Sequence, residues 1–81
     1  MTKSVSVVTG AAGDIGRAIA KRLADDHDVI LLVDLDLAAA EKAARTLGPA
    51  ERFVAVGCDV TSEESLAAMA RTAATHGTVR T

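Results

Sequence analysis

The sequence predicts a layered α/β fold in which helices cross over a parallel sheet. Three observations predict it. Short apolar runs alternate three times with longer stretches of helical periodicity. The middle run, Val29-Ile30-Leu31-Leu32-Val33, is continuously apolar, as suits a strand covered on both faces. The helical stretches are rich in alanine, and Phe53 is the only aromatic residue, so packing must come from Val, Ile, Leu and Ala.

The elements follow in order. Val5–Val8 reads as the first strand. Ile15, Ile19 and Leu23 recur every four residues, with Ala18 and Ala20 nearby, and predict one apolar stripe on a first helix. Asp25-Asp26-His27-Asp28 interrupts the pattern as a solvated polar turn. Val29–Val33 is the second strand, closed by Asp34. Asp36 suits the N-cap of a second helix with the stripe Leu37, Ala40, Ala44 and Leu47, leaving Glu41, Lys42 and Arg45 towards water. Gly48-Pro49 stops it, glycine as a left-handed cap and proline because it cannot continue a helix. Phe53–Val56 is the third strand. Thr61-Ser62-Glu63-Glu64 reads as a capping box, Thr61 and Glu64 each serving an orphan amide. Leu66, Met69, Ala70 and Ala73 then form a third helical stripe, which Gly77 ends.

Right-handed crossovers place these strands in spatial order 3-2-1, the start of a doubly wound sheet. The first strand would then be an open apolar edge. Thr78-Val79-Arg80-Thr81 resembles the approach to a fourth strand, and the expectation is one partial domain over residues 1–81, the N-terminal half of a larger fold.

Composition narrows the function. A domain of this size buries only about 60% of its unfolded surface. Hydrophobic residues make up 49% and charged residues 25%, which argues against disorder. The net charge is −2, without a basic patch or aromatic platform, so nucleic acid is not an expected partner. No apolar run approaches the ~20 residues that cross a bilayer, so no membrane is expected either. Cys58 is the single cysteine; it reads as a small buried hydrophobe and fits a reducing cytoplasm. No Cys/His/Asp spacing suggests a metal site.

The chemistry lies in Thr9-Gly10-Ala11-Ala12-Gly13-Asp14-Ile15-Gly16, a glycine turn between a strand and a helix. Such a turn brings backbone close to a phosphate, and the helix start offers unpaired N–H groups and partial positive charge. Asp34 ends the second strand, eighteen positions after Gly16. A carboxylate there accepts hydrogen bonds from the hydroxyls of an adenosine ribose and repels a 2′-phosphate, which favours NAD over NADP. Asp59, after the third strand, suits the adenine amino group, although Asp after a strand is also a common turn residue. No Gly-Lys-Ser/Thr follows the turn, which excludes a kinase-like P-loop. A methyltransferase would carry an acid at the end of the first strand, where this chain has Thr9.

These residues resemble the N-terminal part of the short-chain dehydrogenase/reductase family, with its Rossmann fold. Thr9 to Gly16 is similar to the T-G-x-x-x-G-x-G turn, Asp34 to the NAD-selecting acid, and Cys58-Asp59-Val60-Thr61 to the Asp-Val element beside the adenine. The resemblance implies hydride transfer between NAD and an alcohol or carbonyl carbon, and a homo-oligomer for the full-length protein. It implies cofactor contacts at Gly10, Gly13, Asp14, Ile15, Gly16, Asp34, Asp59 and Val60. The alternative is a non-catalytic domain that binds NAD for regulation.

Two departures stand out. Aligned on Gly10 and Gly16, Asp14 takes the place of the middle glycine and Gly13 comes one position early. Asp14 then either caps the helix or weakens pyrophosphate binding through its charge. The family's catalytic Ser and Tyr-x-x-x-Lys have no counterpart, for the chain has no tyrosine. No catalytic residue is assigned, and these 81 residues are expected to be inactive alone.

Overall fold

A computed structural model describes residues 3–79 and runs β1 (Ser4–Thr9), α1 (Asp14–Leu23), β2 (Val29–Asp34), α2 (Leu37–Leu47), β3 (Phe53–Gly57), α3 (Glu63–His76) and β4 (Thr78–Val79). The strands are parallel, in the order β3-β2-β1-β4. This is the N-terminal half of a doubly wound sheet. The apolar run of β2 explains its place: Ile30, Leu31 and Leu32 are fully buried between two layers. Each such side chain contributes about 1.5–3 kcal/mol relative to exposure. On one face Ile30 and Leu32 pack with Val8, Ala20, Ala44 and Phe53, beneath α1 and α2. On the other, Leu31 and Val33 pack with Val5, Cys58 and Ala73, beneath α3. Cys58 is thus a core residue, as expected.

A fourth strand is present, contrary to the expected three. Ser4 pairs with Thr78 and Val5 with Val79, so the lower end of β1 is covered and Ser6–Thr9 keeps the open edge. Arg80 and Thr81 lie outside the described residues.

The helix faces show where hydrophobicity misleads. In α1 the buried residues are Gly16 and Ala20, with Leu23 and Ala24 packed beside them. Ile15 and Ile19 are 78% and 47% exposed, so the predicted stripe is displaced towards the small residues. The reason is close approach: a Cβ on Gly16 would lie 2.4 Å from the Gly10 carbonyl oxygen. In α2 the expected face holds at Ala40 and Ala44, joined by Ala43, while Leu37 is 45% exposed. Asp36 caps it, accepting from the Ala39 amide at 3.1 Å. Gly48 ends α2 in extended backbone rather than the left-handed cap expected; glycine is needed there because the Phe53 ring would sit 2.7 Å from a Cβ. In α3 the buried line is Met69 and Ala73, and Leu66 and Ala70 lie towards water. Its N-cap is Ser62, not Thr61: the Ser62 hydroxyl accepts from the Ser65 amide at 3.3 Å. Thr61 is diverted because Asp59 engages both its amide and its hydroxyl.

One organising side chain escaped the sequence reading. Arg52, just before β3, donates to the carbonyls of Ala24 (2.6 Å), His27 (2.9 Å) and Asp28 (3.2 Å). It ties the C-terminal end of α1 and the following turn to the sheet, a favourable place for a cation. His27 takes part in the same corner, its Nδ1 3.1 Å from the Leu23 carbonyl, and is half-buried rather than solvated.

Candidate functional site

The C-terminal ends of β1, β2 and β3 open onto one cleft of about 410 Å³. Thr9 and Gly10 form one side, Val33, Asp34 and Leu35 the floor and second side, and Cys58, Asp59, Val60 and Thr61 the third. Ligands of open α/β sheets bind at this end. The parallel register puts it together: Thr9 pairs with Val33, and Asp34 with Gly57.

The glycine turn continues the cleft to the start of α1. Gly10 has φ +65°, the left-handed region that favours glycine. Gly16 lets the helix press on the turn, since its Cβ would also lie 2.8 Å from the Ala11 Cα. Gly13 is different: its Cβ would find only the Gly10 carbonyl oxygen, at 3.7 Å, an ordinary contact. Gly13 is the N-cap of α1 and supplies no side-chain cap. The first helical bond runs from the Arg17 amide to the Gly13 carbonyl, 3.0 Å. The amides of Asp14, Ile15 and Gly16 therefore have no partner among the described residues. Three adjacent unpaired donors at a positive helix end form an anion cradle.

Asp14 does not cap the helix. Its exposed carboxylate pairs with Arg17 one turn on. The charge that replaces the usual glycine is thus partly countered from within the same turn.

Asp34 holds the turn from the opposite side. Its Oδ2 accepts from the Ala12 amide and its Oδ1 from the Asp36 amide, both at 3.1 Å. One carboxylate fixes the glycine turn and the β2–α2 connection together. Since it has about four lone-pair sites, it keeps acceptor capacity for a ligand. Asp59 Oδ1 accepts from the Thr61 hydroxyl at 2.6 Å and the Thr61 amide at 2.9 Å. These two bonds hold the Asp59 carboxyl below the usual carboxylate range, the hydroxyl contributing most. Oδ2 has no partner among the described residues.

Of the residues expected as cofactor contacts, the structure brings Gly10, Asp34, Asp59 and Val60 around one cleft, with Gly13, Asp14, Ile15 and Gly16 at the adjoining helix start. Sequence reasoning missed Leu35, 76% exposed, which lines the cleft together with Val60, 54% exposed. Its signal was available: a large apolar residue in a loop between two aspartates, where no core claims it. No group of His, Cys, Asp and Glu that could hold a metal occurs among the described residues. Nor is any described helix long and apolar enough to cross a membrane.

Fold and cleft together define the N-terminal half of a Rossmann-type α/β domain with its glycine turn. The short chain dehydrogenase pattern matches residues 4–80. The chain belongs to the short-chain dehydrogenase/reductase family. It is 43% identical over 70 residues to 3-hydroxyacyl-CoA dehydrogenase type-2 of Drosophila melanogaster, a match covering 86% of this chain and 27% of that protein. Among solved structures, it resembles a 3-hydroxyacyl-CoA dehydrogenase type-2 from Mycobacterium avium, with TM-score 0.81, 32% identity and coverage of 95% of this chain and 30% of the other. It also resembles a 3-ketoacyl-(acyl-carrier-protein) reductase from Brucella melitensis complexed with NADH, with TM-score 0.78, 33% identity and coverage of 89% and 29%. The chain thus spans less than a third of the length of these relatives.

Proposed function

We propose that this chain is the cofactor-holding N-terminal part of an NAD-dependent short-chain dehydrogenase/reductase. The observation that carries the reading is the unpaired cradle of the Asp14, Ile15 and Gly16 amides beside Asp34, at the strand ends. A pyrophosphate fits the cradle in charge and donor geometry, and Gly13 leaves it open. Asp34 would accept from the adenosine ribose hydroxyls and repel a 2′-phosphate, which selects NAD over NADP. The exposed Leu35 and Val60 offer apolar surfaces to the two faces of an adenine ring, and Asp59 Oδ2 an acceptor for its amino group. Bound here, the dinucleotide would accept or deliver hydride at its nicotinamide, with an alcohol or carbonyl compound as the other reactant.

The residues present orient the ADP half and do no proton transfer. In the family a tyrosine serves as general acid/base, and this chain has none. NADH absorbance with the 81-residue chain and simple alcohols or ketones should therefore stay at background.

Calorimetric titration with NAD and NADP tests the binding reading. NAD should bind the more tightly, and Asp34→Asn should narrow the gap. NADP binding as tight as NAD would remove Asp34 from its role. Asp14→Asn should tighten both about two- to fivefold, the size of a charge effect at a helix start. Unchanged affinity would mean that Arg17 already neutralises Asp14 completely.

A further inference from the structure

We propose a second functional surface, distinct from the cleft: the outer edge of β3, with the groove between it and α2, joins two copies of this chain across a twofold axis. The argument begins with the ladder. Ile30 pairs with Phe53, Leu32 with Ala55 and Asp34 with Gly57. In a parallel ladder each of these β2 residues bonds to the neighbours of its partner. The Ile30 amide accordingly donates to the Arg52 carbonyl, and the Cys58 amide to the Asp34 carbonyl. Val54 and Val56 thus turn their backbone groups to β2, and Phe53, Ala55 and Gly57 turn theirs outward. The Phe53 amide is taken by the Pro49 carbonyl. The Phe53 carbonyl, both groups of Ala55 and the Gly57 amide have no partner among the described residues.

Protein sheets protect such edges with charge, proline or bulges. Phe53–Gly57 has no charged residue and no proline. The nearby cation, Arg52, is committed to carbonyls on the other side.

The free groups are self-complementary. In an antiparallel pair centred on Ala55, each Ala55 exchanges both bonds with Ala55 of the partner subunit. Each Gly57 amide then meets Phe53 of the partner subunit at its carbonyl. Val54 falls opposite Val56 of the partner subunit, and both are only half-buried in the single chain.

The helix layer fits the same axis. Beside the edge lies a groove of about 640 Å³, lined by Leu37, Glu41, Ala44, Arg45, Phe53 and Ala55. With strands about 4.8 Å apart, two α2 helices lying over β2 and β3 would sit roughly 10 Å apart, a normal packing distance. They would run antiparallel. Glu41 and Arg45 stand one turn apart on the groove side and form no ion pair with each other. The twofold places each Glu41 opposite Arg45 of the partner subunit, an isologous match. This surface is independent of the cofactor reading, since the cleft opens at the strand ends and stays clear.

Sedimentation equilibrium of the chain over a range of concentrations tests it. A monomer–dimer equilibrium is expected. Glu41→Arg and Arg45→Glu should each weaken it about tenfold or more, because each turns two attractions into two repulsions. The combined variant E41R/R45E should return to within about threefold of the original. Ala55→Pro should abolish dimers with the circular dichroism spectrum retained, since the Ala55 amide serves no bond to β2. A chain monomeric at all concentrations overturns the proposal. So do single variants that dimerise normally, or a double variant no better than the singles, which would assign the edge to another segment or another protein.

Discussion

Replacing Gly16 by alanine tests how closely α1 must approach the glycine turn. The added Cβ would lie 2.4 Å from the Gly10 carbonyl oxygen, 2.8 Å from the Ala11 Cα and 3.0 Å from the Gly10 carbonyl carbon. All three are backbone atoms, so no side chain can swing aside. The helix start must retreat by roughly 1 Å to restore ordinary contact; such overpacking costs about 1–3 kcal/mol, and with only backbone to yield, the upper end, about 3 kcal/mol, applies here. Alanine's better helix propensity offsets about 1 kcal/mol. A net loss of about 2 kcal/mol is expected, against a total of about 4–12 kcal/mol for a chain of this size. With a urea m-value of about 1 kcal/mol/M, the unfolding midpoint should fall by about 2 M. Gly13→Ala is the control. Its Cβ would be 3.7 Å from the nearest atom, and its φ of −78° is open to any residue. Its midpoint should move by less than about 0.5 M, while NAD affinity falls because the methyl group enters the cradle. Equal midpoints for the two variants would refute the packing argument.

Three further outcomes follow from named contacts. Arg52→Ala removes the cation from three carbonyls and should cost about 2 kcal/mol, lowering Tm by roughly 8–16 °C; a drop under about 3 °C would show the contacts to be ornamental. Thr61→Val should raise the Asp59 pKa towards the ordinary carboxylate range in an NMR titration, because the hydroxyl bond is the main cause of its lowering. Since the folded value is the depressed one, Asp59 contributes stability above that ordinary range and loses it as pH falls through the folded value. The variant should show less acid sensitivity there, and an unmoved titration would contradict the assignment. Ser6 is fully buried and its Oγ has no hydrogen-bond partner among the described residues, so Ser6→Ala should be neutral or stabilising by about 0.5–1 kcal/mol in urea melts; clear destabilisation would reveal a bond to that hydroxyl.

The legible parts were those written in local chemistry. The apolar run of β2, the Asp36 cap and the Gly10 turn each follow from residues within a few positions of one another. What was not legible depended on distance or competition. Ile15 and Ile19 look like a core stripe, yet α1 comes so near the turn that only Gly16 and Ala20 fit beneath it. Thr61 has the chemistry of a cap, but Asp59 reaches it first and the helix starts one residue later. Arg52 binds carbonyls 24–28 positions away, which no window of sequence displays. Thr78-Val79 reads as the approach to a fourth strand, but two paired residues are too few for periodicity to tell an approach from the strand itself. In the candidate site, spacing alone pointed to the acids and glycines that the fold gathers at one end of the sheet. The double use of Asp34, on Ala12 and on Asp36, required the fold.

The uneven cover of the sheet gives the chain an order of opening. The β1-α1-β2-α2-β3 portion is closed on itself by the Arg52 staple and by the buried strand at its centre. Helix α3 is attached by little more than Ala73 and Met69, and its outer side is wet. Amide protons of α3 should therefore exchange with deuterium through local detachment, well before those of Ile30 to Val33, which wait for global unfolding. Asp59 sits at the hinge of that detachment, its amide bonded to the Ser65 hydroxyl in the first turn of α3. Anything that binds at Asp59 will consequently slow exchange along the whole helix.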